Sequence, residues 1–165
     1  MSPPPEDLDF FLTLTLAAAK AWPLITREFD AAGVEPGNWG LLFHVGAREN
    51  VTPSELAAET GVTPTTMRDQ IQTQVDRGLL ERVPNPLDAR SYYVALTARG
   101  QHNLDEGLKA SRRAAQLLQE ELGDLEPLRQ SLIDLTLVLA TVNERALREE
   151  RARRVEAVRA RRSRR

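Results

Sequence analysis

Arg68 and Gln72 stand one helical turn apart in the segment Thr63-Pro64-Thr65-Thr66-Met67-Arg68-Asp69-Gln70-Ile71-Gln72. Both end in planar groups that hydrogen-bond at two points. A guanidinium matches the O6/N7 edge of guanine, and a carboxamide matches the N6/N7 edge of adenine. Met67, Ile71, Val75 and Leu79 recur at a spacing of four. Thr65, Arg68, Asp69, Gln72 and Thr73 therefore lie on the opposite, polar face. Thr65, Thr66, Arg68 and Asp69 belong to the first turns, the end of such a helix that would meet base edges. A carboxylate repels phosphate, so Asp69 is expected to orient Arg68 or to accept from a cytosine amine. Thr63 is above all a cap, although its hydroxyl and the capped amides suit a phosphate. Further along, Asp88-Ala89-Arg90 sets an arginine on a charged tip, with a carboxylate two residues back to steady it. An arginine on a narrow projection suits the concentrated negative potential of a minor groove.

The elements that must hold these residues can be read around them. Thr52-Pro53-Ser54-Glu55 is a capping box with proline at the first helical position. The helix it opens, Pro53 to Thr60, turns Leu56 and Ala57 inward and ends at Gly61. Only Gly61 and Val62 separate it from the next start at Thr63-Pro64, and two short helices joined so tightly form a helix-turn-helix. The second helix runs to about Arg77 and stops at Gly78. Leu79, Leu80 and Val83 then precede Pro84-Asn85-Pro86, and alternation resumes through Tyr92, Val94 and Leu96, which predicts a hairpin wing.

Long helices flank this head. Residues 7–31 carry an apolar stripe through Leu8, Phe11, Leu12, Leu16, Ala19 and Trp22, continued by Leu24, Ile25 and Phe29. Pro23 is expected to kink or divide that helix. Gly33 to Gly37 is read as a loop, with Asn38 capping a helix that directs Trp39, Leu42, Phe43 and Val45 inward. After Thr97, Gly100 precedes a helix to about Leu122, whose apolar face holds Leu104, Leu108, Ala115 and Leu118. Gly123-Asp124 breaks the chain before a last helix, Leu125 to about Arg153, with Leu128, Leu132, Leu135, Leu139 and Val142 at spacings of three and four. The fold expected is mostly α: a winged helix-turn-helix head at 36–100, dimerisation helices at 1–35 and 101–155, and a disordered Arg-rich tail at 156–165. The flanking helices have too little of their own lobe to pack on, which predicts a C2 homodimer.

Composition narrows the function. The 165 residues are 41% hydrophobic and 5% aromatic, enough for a core in a helical protein. With no cysteine there is no disulfide framework, thiolate zinc site or thiol redox sensor. His44 and His102 show no ligand spacing, so no metal and no cofactor are expected. The acidic, Pro-rich start does not resemble an export signal. The runs Leu12 to Ile25 and Leu132 to Val142 are too short to span a bilayer. A cytoplasmic protein without membrane association is expected, in which Asn50-Val51-Thr52 is a chance glycosylation triplet. The net charge of −2 divides into +6 over residues 148–165 and −8 over the remainder. Residues 52–100 carry −1, which implies few phosphate contacts and a modest salt dependence.

Leu56-Ala57 leading to Gly61-Val62-Thr63, then Arg77-Gly78-Leu79-Leu80-Glu81-Arg82, Asp88-Ala89-Arg90 and Leu96-Thr97-Ala98-Arg99-Gly100 occur in that order and spacing. With them the chain resembles the MarR family of bacterial transcription regulators over roughly Phe10 to Val142. The resemblance implies a triangular dimer with two winged heads. It also implies binding to a pseudo-palindromic operator, usually as a repressor, and release by small aromatic or phenolic anions. Arg82 resembles the family's strand arginine and is read as a brace or a phosphate contact. The recognition helix departs from the pattern, with Gln70 and Gln74 where apolar residues are usual and Val75 where a polar one is. Either the helix is slightly rotated, or Gln74 is hydrogen-bonded under the wing. An effector pocket is expected where the flanking helices meet the head, drawing on Trp22, Phe29, Trp39, Phe43 and His44.

Two other classes compete with a ligand-modulated repressor of double-stranded DNA. A winged helix can serve as a protein-interaction module, here with the Arg-rich tail gripping an acidic partner. An enzyme is disfavoured, because the chain lacks a phosphate-binding glycine loop, a histidine metal motif and a nucleophile–base pair.

Overall fold

The structure, a computed structural model, describes residues 9–162. Helices α1 (Phe10–Ala31), α2 (Pro36–Gly46), α3 (Pro53–Thr60) and α4 (Pro64–Asp76) lead to strands β1 (Leu80–Pro84) and β2 (Tyr92–Leu96). Helices α5 (Ala98–Leu122) and α6 (Glu126–Arg162) follow. The mostly helical, winged fold expected from the sequence is the one observed. The chain divides into two compact units between Leu117 and Leu118.

The first unit is built around the helix-turn-helix. Thr52 accepts from the Glu55 amide while the Glu55 carboxylate accepts from the Thr52 amide at 2.8 Å, a complete capping box. Gly61 ends α3 in the left-handed region, at φ 72°, where a side chain would be strained. Thr63 then caps α4 by accepting from the Thr66 amide. Leu42, Leu56, Met67, Ile71, Leu80 and Val94 are all buried in one core shared by α2, α3, α4 and the wing. The wing pairs antiparallel, from Leu80 opposite Leu96 to Pro84 opposite Tyr92. Val51 adds an isolated bridge to Val94. A smaller cluster of Phe29, Val34 and Ala110 joins the end of α1 to α5.

Helix α5 owes its seating to residues without side chains. A Cβ on Gly100 would stand 1.9 Å from the Leu79 carbonyl oxygen, and one on Gly107 would stand 2.0 Å from the Trp39 ring. Gly100 thus lies inside the first turn and not ahead of the helix. Thr97 supplies the cap: its hydroxyl accepts from the Gly100 amide at 2.9 Å and donates to the Gly78 carbonyl at 2.8 Å. The buried face of α5 is Gly100, Leu104, Gly107, Ala110 and Ala114, while Ala115 and Leu118, expected to face inward, are exposed. Small residues let this helix approach closely, and an apolar periodicity count passes over them.

Other boundaries differ as well. Helix α1 continues unbroken through Pro23. Helix α2 opens at Pro36 behind Glu35, with no side-chain cap, so Asn38 lies within its first turn. The fixed φ of proline favours a first helical position, and that advances the start. Helix α6 runs on to Arg162, so residues 156–162 of the expected disordered tail are helical, and 163–165 lie outside the described residues. In α6 the side chains of Leu128, Leu132, Leu137, Val138 and Val142 are exposed. In α1 the same holds for Phe10, Phe11, Leu12, Leu16 and Trp22.

Candidate nucleic-acid interface

The first three turns of α4 present one polar face. Thr63, Thr65, Thr66, Arg68, Asp69 and Gln72 are all exposed, because Met67 and Ile71 turn inward and fix the rotation of the helix. The Thr63 and Thr66 hydroxyls share a hydrogen bond of 2.8 Å. Thr73 donates to the Asp69 backbone carbonyl, and Asp69 itself is exposed. Among the described residues Arg68 forms no ion pair. Its guanidinium is free to meet a base edge or a phosphate.

Gln72 is held more firmly. Its Nε2 donates to Asp76 at 2.6 Å, and its Oε1 accepts from the Arg82 guanidinium. Arg82 in turn lies 4.8 Å from the centre of the Tyr92 ring, a cation–π contact. Recognition helix and wing are thereby tied through side chains. Asp76 and Tyr92 were not expected in this role; the i, i+4 spacing of Gln72 and Asp76 was the available signal.

At the wing tip the geometry differs from the expected pairing of Asp88 with the arginine side chain. The Asp88 carboxylate accepts from the Arg90 backbone amide at 2.9 Å, and its carbonyl accepts from the Ser91 amide. Asp88 therefore shapes the turn, as aspartates in turns commonly do. Asn85 does the same for Leu87. The Arg90 side chain is exposed and, among the described residues, forms no ion pair.

Neither alternative for the recognition helix is observed: Gln74, not Val75, takes the inward position, so the helix is not rotated, and Gln74 is not hydrogen-bonded. It is fully buried in place of an apolar residue, Val75 is only half-buried, and neither Gln74 side-chain atom has a hydrogen-bond partner. It lines a cavity of about 300 Å³ together with Trp39, Leu42, Arg77, Leu79 and Arg99. Arg77 pairs there with Glu35, and Arg99 donates to the Arg77 carbonyl at 3.0 Å. Of the aromatic residues expected to form an effector pocket, only Trp39 lines this cavity. Phe29 packs edge-on against Trp39 as core, and the Phe43 ring lies 5.8 Å from that of Trp39, tilted by 34°. His44 bonds Glu59 at 3.0 Å, and Trp22 is 52% exposed. Among the described residues no group of histidines and carboxylates could hold a metal, and no helix is long and apolar enough to cross a membrane.

A capped helix-turn-helix followed by a two-stranded hairpin, with an exposed arginine on each, defines a winged helix-turn-helix protein. Residues 32–91 match the model of the MarR family. Over those residues the winged head is similar to the heads of that family. An uncharacterised HTH-type transcriptional regulator of Mycobacterium bovis is 34% identical over 97 residues, 57% of this chain and 65% of the relative. The chain thus spans just under two thirds of that relative's length. Among solved structures, the crystal structure of MarR superposes with a TM-score of 0.70 at 21% identity, covering 88% of this chain and 99% of that one. The transcriptional repressor CouR, bound to a 23-mer DNA duplex, gives 0.69 at 22% identity, over 80% and 92%.

Proposed function

We propose that the protein is a sequence-specific DNA-binding transcriptional regulator, a cytoplasmic repressor that acts as a homodimer on a pseudo-palindromic operator. One observation carries this reading. Arg68, on the outer face of the capped helix α4, and Arg90, on the wing tip, are both exposed, and neither is ion-paired among the described residues. Helix α4 would enter the major groove with Arg68 on guanine and Gln72 on adenine, while Arg90 reaches the flanking minor groove. Thr63, Thr65 and Thr66 would meet phosphate or base edges at the helix start, and Asp69 would orient Arg68. A solved structure of similar fold, CouR, is a transcriptional repressor bound to a DNA duplex, which supports DNA binding here.

A second copy of the chain would cover the exposed apolar side chains of α1 and of α6, and a C2 dimer would set two recognition helices about one turn, roughly 10 base pairs, apart. The cavity beside Gln74 is the site proposed for a small aromatic effector. Trp39 and Leu79 offer apolar walls, and the Gln74 carboxamide, at the base of the recognition helix, has a donor and an acceptor free. Binding there would act directly on the helix that reads DNA.

The test is a binding-site selection with the purified protein, followed by shift assays on the selected duplex and on the DNA upstream of its own gene, with salt varied. A selected inverted repeat bound as a dimer is expected. Selection of no sequence, with capture of acidic proteins instead, would favour an interaction module.

A further inference from the structure

We propose that Arg82 and Asp76 are positioning residues that fix the direction in which Gln72 presents its carboxamide to DNA, so that the wing sets part of the base preference of the recognition helix. The inference rests on the DNA-reading function proposed above and concerns one side chain of that site.

A carboxamide offers two N–H donors at one end and two lone pairs at the other, and the ends are nearly equal in size. Free in solution, it turns over at little cost and meets either order of donor and acceptor on a base edge. Here each end is held by a group that tolerates only one. The Asp76 carboxylate accepts and takes one N–H, while the Arg82 guanidinium donates and takes one lone pair. Turning the amide over would set NH₂ against guanidinium and oxygen against carboxylate, losing both bonds and adding two repulsions. One N–H and one lone pair remain, in a fixed order. Adenine presents one donor and one acceptor in the major groove, whereas guanine presents two acceptors. A clamped amide therefore fits adenine in one orientation and opposes guanine, whereas a free amide can turn its N–H toward guanine.

Arg82 is itself restrained. It lies over the Tyr92 ring from the neighbouring strand, and the hairpin register sets Arg82 opposite Val94 and Pro84 opposite Tyr92. The hairpin that carries Arg90 thus also carries the group that orients Gln72.

Binding-site selection on the parent, Gln72→Ala, Arg82→Met, Arg82→Lys and Asp76→Ala tests this. Arg82→Met and Asp76→Ala should each lower the preference for adenine over guanine by about tenfold at one position per half-site, the position that Gln72→Ala also relaxes. Arg82→Lys, which still donates to Oε1, should restore much of it. The Arg68 position should not change, and Gln72→Ala with Arg82→Met should match Gln72→Ala alone at that position. A uniform loss of affinity with base preferences intact would make Arg82 a phosphate contact or a plain brace and overturn the proposal. So would a Gln72→Ala profile identical to the parent's. A thermal melt excludes misfolding, and Asp76→Ala reports from the helix side should Arg82→Met unfold the wing. A parent that selects no sequence defeats the DNA-reading function itself, whereas a selective parent with unaffected clamp variants defeats only this inference.

Discussion

Leu56, Met67 and Ile71, in the helix-turn-helix, are at most 1% exposed, whereas Leu128, Leu132, Leu137 and Val138 of α6 are 46–63% exposed. Both regions have apolar side chains at helical spacing. In the head these meet other elements of the same chain, and its caps and core are complete within one copy. Helix α6 has 37 residues, and none of its described side chains is buried in the single chain. Burying a leucine contributes about 1.5–3 kcal/mol, so a face left open forgoes stabilisation that only a further surface can supply. The head should fold on intramolecular contacts, and α6 should depend on association.

The largest expected effect breaks that contrast at its weaker side. Leu132→Asp combined with Leu128→Asp should abolish the proposed dimer, lowering the light-scattering mass from about twice 18.4 kDa to 18.4 kDa. Near-ultraviolet circular dichroism of the head should be retained. A head that unfolds together with the dimer would show the two regions to be one cooperative unit.

Next comes Gly100→Ala. The added methyl meets a backbone oxygen, which cannot rotate away, so the loss should reach or exceed the upper end of the ~1–3 kcal/mol usual for overpacking. Thermal unfolding measures it. Gln74→Leu should have the opposite sign, because an unbonded buried carboxamide costs about 1–3 kcal/mol. A lower melting temperature would show that Gln74 is satisfied in solution.

The smallest effect is that of Thr52→Ala, about 1 kcal/mol for a lost cap. It should also flatten the acid limb of the stability profile. The hydroxyl and amide of Thr52 hold the Glu55 carboxyl below its ordinary value of 4.5. Its unfolded pKa is therefore the higher one, so this stabilisation is complete above about pH 4.5 and is lost as the pH falls through the lower folded value. Melts of parent and variant between pH 3 and 7, roughly the range bracketing that titration, should draw closer at the acid end, where the remaining difference is the Thr52 hydroxyl cap on the Glu55 amide.

Local chemistry made the head legible. The Thr52–Glu55 box, Gly61, the Thr63 cap and the alternation from Tyr92 to Leu96 each depend on neighbours a few residues away, and sequence displays neighbours. What escaped depends on contacts across the chain. Gly107 carries no sign that Trp39 lies against it, and the helical face of Gly100, Ala110 and Ala114 is nearly invisible to a count of large apolar residues. The spacing of Met67, Ile71 and Val75 favours Val75 as the inward residue, and only packing across the head shows that Gln74 is the one buried. Arg68 and Arg90 could be read as exposed residues because exposure needs no partner. The hold on Gln72 needs Arg82 from a strand ten residues away and could not be read.

The two glycines that seat α5 bear on the order of events during folding. Each lowers helix propensity by about 1 kcal/mol relative to alanine, and both fall in the first three turns. Before the chain collapses, that stretch has little tendency to coil on its own. Its hydroxyl cap at Thr97 also bonds the Gly78 carbonyl, a group supplied only once α4 has ended and the hairpin has closed. Residues 98–110 should therefore become helical late, after the rate-limiting barrier. Substitutions there would chiefly hasten unfolding and leave the refolding rate nearly untouched.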